Sequence, residues 1–194
     1  MLKLDTRDQL WIGLALALLM ALTRVQTGAF GHAVPDASFA VFFLAGLYLR
    51  PVWAIPALFA LGFVMDLAAV GWAGISAFCL SPAYLMLVPA YAALWAAGRW
   101  YGGRHQTNWR TLLPLGASLA VGVTIAELFA SGGFYLFSGR FVEPTLAGFA
   151  ERLTQYFPNT LTALALYAGL AVGVHLAVVA LARATGRRGG VSAG

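Results

Sequence analysis

The sequence predicts an all-α integral membrane protein with six transmembrane helices, both chain ends on the cytoplasmic side, and one transmembrane domain over residues 1–194. Its composition is the first reason: 61% of the 194 residues are hydrophobic and only 10% are charged, whereas about a quarter of a soluble domain is charged. Its length is the second, since six helices of about 20 residues use about 120 residues and leave no room for a second, soluble domain.

Stretches that hold no charge, or one carboxylate, define the predicted helices in order. They cover residues 9–23, 36–49, 51–70, 79–98, 111–137 and 158–181. The first two are short for a membrane and need their flanking residues to complete the crossing. The first follows Lys3 and Arg7 as a signal sequence would, but Asp5 and Asp8 interrupt its basic region, so we expect a retained helix. Residues 185–194 are expected to form a flexible tail.

The loops contribute the third observation, the distribution of Lys and Arg. With the N-terminus inside, nine basic residues fall in cytoplasmic segments and three in outer ones, which is the asymmetry that six spans with both ends inside require. The outer three are Arg24, Arg140 and Arg152, and the cytoplasmic nine are Lys3, Arg7, Arg50, Arg99, Arg104, Arg110, Arg183, Arg187 and Arg188. Because they are scattered between apolar runs, they do not predict nucleic-acid binding. The outer loop 139–157 is expected to include a short amphipathic helix.

The outer loop 70–80 is apolar, free of charge, and contains the only cysteine, Cys79. A short apolar loop at the membrane edge is expected to line a cavity. Ser81 and Pro82 follow, and they predict a helix start with Ser81 as N-cap. The partial positive charge of a helix N-terminus would favour the thiolate form of Cys79. One thiolate cannot hold a bare metal ion, but it could be the axial ligand of a soft metal that a macrocycle already holds. The alternative is that Cys79 is a small buried hydrophobe. A single cysteine excludes an intramolecular disulfide and a Cys-pair metal or redox site.

Two carboxylates and one arginine are further candidates for a pocket. Asp66 and Glu127 lie about 22 Å and 24 Å along the third and fifth helices, in the outer half of the membrane, where ionisable side chains are costly. Asp66 either serves function or bonds loop amides at a helix end. Glu127 either pairs with an arginine, lines the pocket or caps a broken helix. Arg152 either reaches over the pocket to amide or phosphate oxygens or lies among water and lipid headgroups.

The first helix carries Gly13, Ala17 and Ala21 at four-residue spacing. Small residues on one helix face let another helix approach closely. We therefore expect this face to contact a partner.

The stretch DLAAVGWAGISAFCLSPAY at 66–84 resembles the BtuM family of bacterial cobalamin transporters, as does PDASFAVFFLAG at 35–46. These proteins are related to the S-components of energy-coupling factor transporters. The resemblance implies an S-component-like bundle in the bacterial cytoplasmic membrane that takes up cobalamin and has no cofactor of its own. It implies Cys79 as axial thiolate ligand of cobalt, and removal of a cyanide ligand by this thiolate when the incoming cobalamin carries one. Asp66, Tyr84 and Arg152 would then contact corrin amides and the nucleotide tail.

The resemblance also implies that the Gly13, Ala17 and Ala21 face meets an energy-coupling factor module. The chain has no Gly-x-x-x-x-Gly-Lys-Ser/Thr motif, so an ATP-driven step would require such a partner. Alternatives remain: a carrier of another vitamin, a membrane scaffold of the cell-shape machinery such as the MreD family, or an intramembrane enzyme. The last is the weakest. Ser76 of Gly74-Ile-Ser76 is expected at the outer edge, far from His175, which is expected to pack near the cytoplasmic side. Ser118 of Gly116-Ala-Ser118 could share a depth with His175, but so short a motif arises easily by chance.

Overall fold

The computed structural model describes residues 5–29, 35–72, 81–104 and 109–188. Within these ranges the regular structure is entirely helical. In chain order the helices are α1 (Thr6–Ala29), α2 (Ser38–Tyr48), α3 (Ala54–Trp72), a 3₁₀ helix (Pro82–Met86), α4 (Leu87–Gly102), a second 3₁₀ helix (Trp109–Thr111), α5 (Leu112–Phe137) and α6 (Leu146–Arg188).

Three of these helices are long and apolar enough to cross a membrane. They contain the stretches Ala54–Gly71, Leu112–Phe137 and Leu146–Val174. This finding supports the predicted membrane protein with transmembrane helices. The number of spans and the location of the two chain ends stay predictions.

α2 differs from the span predicted at 36–49, because it is an eleven-residue helix in the centre of the bundle. It is about 16 Å long, half the thickness of the hydrocarbon core. Most of its side chains are buried, as expected for a helix that is apolar on every side. Tyr167 of α6 donates a hydrogen bond to the Pro35 carbonyl (2.6 Å) and so ties α6 to the residues just before this helix.

Two glycines bring α2 and α4 into backbone contact. A Cβ atom on Gly46 would lie 2.0 Å from the carbonyl oxygen of Trp95, and one on Gly98 would lie 1.9 Å from the carbonyl oxygen of Phe43. Helices in membranes associate through such close approach, since lipid gives them no hydrophobic driving force. The α2–α4 pair is therefore a closely packed part of the core.

α5 packs along the other side of α4, antiparallel to it. Gly122 of α5 lies against Ala97, and Gly133 lies against Met86 of the first 3₁₀ helix. That 3₁₀ helix begins at Pro82 with Ser81 in the N-cap position, as the sequence predicts. Ser81 makes no capping hydrogen bond through its side chain, however, and the α-helical geometry begins only at Leu87.

α6 begins earlier than the predicted span at 158–181. It starts at Leu146 and continues through Pro158 to Arg188, so the expected amphipathic segment of loop 139–157 forms its first turns. Proline removes one backbone hydrogen bond, a loss that helices in membrane proteins tolerate. At 43 residues α6 is about 65 Å long, twice the hydrocarbon thickness, and must extend beyond it. Residues 185–188 of the predicted flexible tail are helical, and residues 189–194 lie outside the described residues.

Candidate functional site

The guanidinium of Arg24 is the centre of a polar cluster formed by four helices. Its Nε donates to Ser38 Oγ of α2 (3.0 Å), and its Nη2 donates to the Tyr91 hydroxyl of α4 (2.7 Å). Its Nη1 lies 3.2 Å from the Gly62 carbonyl oxygen and 2.5 Å from Asp66 Oδ2, both on α3. Arginine suits this role because its donors are fixed in one plane.

Asp66 joins this cluster to the first 3₁₀ helix. The same Oδ2 atom that pairs with Arg24 also accepts a hydrogen bond from the Tyr84 hydroxyl (2.9 Å). The Asp66 side chain keeps a quarter of its surface exposed, against a tenth for Arg24. The described residues make no hydrogen bond to its second oxygen, Oδ1. Among the described residues, Asp66 therefore bonds side chains of two other elements through one oxygen, Oδ2.

A second carboxylate, Asp36, extends the cluster beyond Ser38. Its Oδ1 accepts hydrogen bonds from the Ser38 amide (3.0 Å) and the Ser38 hydroxyl (2.8 Å). Ser38 in turn accepts from Arg24. Two carboxylates thus face one guanidinium, and the cluster has a formal charge of −1. It favours ligand groups that donate hydrogen bonds over anions.

Aromatic rings hold the two tyrosine hydroxyls in place. Tyr91 is buried and stacks on Phe42, with ring centroids 4.1 Å apart and an interplanar angle of 6°. Tyr84 meets Phe59 and Phe63 edge-on, at 5.7 Å and 5.4 Å. Such aromatic pairs stabilise their arrangement by about 0.5–1.5 kcal/mol beyond the area they bury. Both hydroxyls are therefore fixed before any ligand arrives.

Cys79 itself lies in residues 73–80, outside the described residues. Its two flanking elements are described: α3 ends at Trp72 and carries Asp66, and the 3₁₀ helix begins at Pro82 and carries Tyr84. The Asp66–Tyr84 hydrogen bond therefore joins the two elements that flank the Cys79 segment.

Arg152 belongs to a different environment. Its guanidinium carbon lies 4.9 Å, 5.5 Å and 4.7 Å from the ring centroids of Phe134, Phe141 and Tyr156. Its Nε is buried and has no hydrogen-bond partner among the described residues. The described contacts of Arg152 are thus cation–π contacts with aromatic rings, and they do not include Asp66 or Tyr84.

An apolar cavity of about 440 Å³ lies between the end of α5 and the start of α6. Met86, Gly132 and Phe149 are among the residues that line it. None of its lining residues belongs to the Arg24 cluster, so the cavity and the cluster are separate features.

Glu127 is buried in α5 and accepts a hydrogen bond from Ser131, one turn further along the same helix. Of the three alternatives stated for Glu127, pairing with an arginine is not observed among the described residues. Gly122 and Gly133 lie on one face of α5, against Ala97 and Met86, whereas Glu127 is five residues from Gly122 and so points away from that face.

The predicted partner face of α1 lies at the edge of the bundle. Gly13, Ala17 and Ala21 are half-buried, and the Leu49 side chain lies against Gly13, 3.8 Å from where a Cβ atom would be. The most exposed apolar side chains of α1 lie on another face, formed by Leu10, Trp11, Leu14, Leu18 and Leu22. Contact with a partner through the small residues stays a prediction.

The sequence interpretation missed Arg24, which it counted only as an outer-loop charge. One feature of the sequence indicates its role: Arg24 follows Leu16 and Met20 at four-residue intervals, and both of these are buried. When the helix continues one turn beyond residue 23, Arg24 falls on the buried face of α1. The roles of Ser38 and Tyr91 depend on contacts between distant parts of the chain.

The fold defines the class of protein: all-helical within the described residues, with helices that can cross a membrane and a charged cluster packed between them. Comparison with known proteins adds no family, since no family model matches the chain and no curated protein shows significant similarity to it. The resemblance to cobalamin transporters stays a prediction.

Proposed function

We propose that the protein takes up cobalamin across the bacterial cytoplasmic membrane, with Cys79 as the axial thiolate ligand of cobalt. The observation that carries this proposal is the hydrogen bond between Asp66 and Tyr84. Both residues are expected to contact the substrate, and their two elements flank the Cys79 segment. The site would then comprise a metal-binding sulfur with polar groups next to it.

The proposal includes six spans, both chain ends in the cytoplasm and an S-component-like bundle. Cobalamin enters from the outer face and docks against residues 73–80. The partner for an energised step is an energy-coupling factor module, which meets α1 at Gly13, Ala17 and Ala21.

The chemistry of the cluster supports a ligand rich in primary amides, as corrinoids are. Asp66 Oδ1 accepts no hydrogen bond from the described residues, and the formal negative charge of the cluster favours N–H donors. Arg152, in contrast, is positively charged and would bind the phosphate of the nucleotide tail. Its aromatic surroundings leave its Nε without a partner among the described residues.

Ligation by Cys79 is a ligand exchange. The thiolate donates an electron pair to cobalt, and water or another weak ligand leaves with its own pair. When the incoming form carries cyanide, the same exchange releases cyanide ion, and the oxidation state of cobalt does not change. No reductant is required for this step.

Cys79→Ala tests the proposal through the visible spectrum of detergent-purified protein incubated with cobalamin. We expect the wild-type protein to bind the corrinoid with shifted bands. The variant should lose the shift and bind about tenfold more weakly or worse, since each factor of ten needs only about 1.4 kcal/mol. Ser76→Ala, a substitution in the same segment that removes no sulfur, is the matched control and should retain the shift.

Two other outcomes distinguish the alternatives. Unchanged cobalamin binding by Cys79→Ala would agree with a cobalamin carrier but would contradict the proposed cobalt–thiolate bond. A wild-type protein that binds no corrinoid would contradict the proposal and favour the membrane scaffold.

A further inference from the structure

We infer that the apolar cavity between α5 and α6 is a lipid site, which takes one acyl chain of a phospholipid from the membrane leaflet at the 138–145 loop. The inference goes beyond cobalamin uptake and is independent of it, because none of its steps involves Cys79 or the Arg24 cluster. It assigns a ligand to a feature of the structure that the proposed function does not use.

The chemistry of the cavity favours an apolar occupant. The described residues that line it include no charged side chain, and only Tyr135 and Thr145 have polar ones. Both already form hydrogen bonds within the protein: the Tyr135 hydroxyl accepts from the Thr145 amide (3.0 Å), and Thr145 Oγ1 accepts from the Gly148 amide (3.1 Å). The volume of about 440 Å³ lies within the range of about 300–1,000 Å³ that small-molecule sites have. The occupant is therefore an apolar group of small-molecule size.

The cavity lies on the face of α5 that lipid tails would contact. Large apolar side chains follow one another along this face, and each exposes 40–58% of its surface: Val121, Ile125, Leu128 and Leu136. Gly132 occupies the position between the last two in this row, four residues from each. Because it has no side chain, the row is open there, and the Phe149 ring lies 3.6 Å from where a Cβ atom would be. The cavity is therefore a recess in a lipid-facing surface, since α5 is long and apolar enough to cross a membrane.

The length and position of the cavity match one leaflet of a bilayer. Its lining residues on α5 extend from Leu128 to Phe137, which is about 14 Å along the helix axis. One leaflet contributes about 15 Å, half of the hydrocarbon core. The cavity reaches the end of α5, where Pro144 and Thr145 of the connection to α6 also line it. An acyl chain in the cavity would therefore run along α5, with its headgroup beside the 138–145 loop.

The width of the cavity fits an acyl chain better than a helix of a partner or of a second copy of this chain. Spread over about 14 Å of helix axis, the volume of about 440 Å³ corresponds to a channel about 6 Å wide. An α-helix with its side chains is about 10–12 Å wide, so a helix would only cover the opening of the recess. An acyl chain is a single row of methylene groups and enters it.

The experiment compares Gly132→Leu with the wild-type protein and with Gly116→Leu. A Cβ atom on Gly132 would be at an ordinary contact distance from Phe149, and the rest of the leucine side chain fills the recess. Gly116 is on the same helix, and a Cβ atom there would meet nothing within 4 Å, so this variant is the matched control. Native mass spectrometry of the detergent-purified proteins measures how much phospholipid each one retains. Cobalamin binding is not a readout, so the result does not depend on the proposed function.

We expect the wild-type protein and Gly116→Leu to retain one phospholipid per chain. Gly132→Leu should retain at least about fivefold less, because its side chain takes the place of the acyl chain and its contacts. A wild-type protein without lipid overturns the inference, as does a Gly132→Leu protein that retains as much lipid as the wild type. A lipid-free wild-type dimer that Gly132→Leu converts to monomers overturns it in favour of a second copy.

Photolabelling then locates the acyl chain. The probe is a phosphatidylglycerol with a diazirine in one acyl chain, reconstituted with each protein into vesicles. We expect labelling of Met86 and Phe149, which line the cavity and are half-buried, to fall at least about threefold in Gly132→Leu. Labelling of Val121 and Ile125, which lie outside the cavity on the same face, should stay the same. Equal labelling of Met86 and Phe149 in the two proteins overturns the inference.

Gly132→Val provides a second variant in case Gly132→Leu does not fold. Its smaller side chain enters the same recess, so we expect lipid retention and the labelling of Met86 and Phe149 to fall about twofold. A folded Gly132→Val protein that matches the wild type in both measurements overturns the inference.

Discussion

Gly98→Ala is expected to disrupt the packing of α2 against α4 and to lower the free energy of unfolding by more than about 3 kcal/mol. The new Cβ atom would lie 1.9 Å from the Phe43 carbonyl oxygen and 2.9 Å from the Phe43 carbonyl carbon. These are backbone atoms of a buried helix, so no side chain can rotate away to make room. The two helices would have to separate, and the contacts between them would weaken together.

Thermal unfolding in detergent, followed by intrinsic fluorescence, measures this effect. The matched control is Gly116→Ala in α5, where an added Cβ atom would meet nothing within 4 Å. Since alanine favours a helix by up to about 1 kcal/mol over glycine, the control should melt at or slightly above the wild-type temperature. If Gly98→Ala melts together with the control, the close approach of α2 and α4 is wrong.

Gly46 gives an independent test of the same interface from the other helix. Its Cβ atom would lie 2.0 Å from the Trp95 carbonyl oxygen, so Gly46→Ala should destabilise the protein about as strongly. The two substitutions affect one shared interface. Their combined effect should therefore be smaller than the sum of the two separate effects.

Hydropathy of the sequence predicted most of the helices because lipid imposes one length and one composition on every span. It did not predict the role of α2. An apolar run has the same composition whether lipid or protein surrounds it, and only the contacts of α2 with its neighbours show that it is central. Pro158 misled the prediction of α6 for a related reason, because a proline that would end a helix in water is accommodated here.

For the site, the sequence predicted Asp66 and Tyr84 but did not predict that they meet each other. Their contact depends on α3 and the first 3₁₀ helix placing the two side chains at the same depth in the bundle. Arg24 was missed because its partner Asp66 is 42 positions away in the sequence. Counting basic residues loop by loop assigns Arg24 to an outer loop and treats it as a topology signal. Only the packing of the helices shows that Arg24 forms an ion pair with Asp66.

The Arg24–Asp66 pair leads to the second large prediction. Arg24→Met should lower the free energy of unfolding by about 3 kcal/mol, because it leaves the Asp66 carboxylate without its cation in a poorly solvated place. The partial exposure of Asp66, at 25%, puts the expected value at the lower end of the range for buried pairs. Arg7→Met, at an exposed position of the same helix, should change the stability by less than about 0.5 kcal/mol.

Removing both charges distinguishes the contribution of the ion pair to stability from the contribution of side-chain packing. Arg24→Met combined with Asp66→Leu fills similar space without a charge, and a buried pair replaced by apolar side chains is often neutral for stability. We therefore expect the double variant to recover most of the stability that Arg24→Met loses, although it should not bind cobalamin. Melting temperatures of the two single variants and the double variant form the cycle that measures the coupling. A double variant as unstable as the sum of the single variants would mean that Arg24 and Asp66 stabilise the bundle independently.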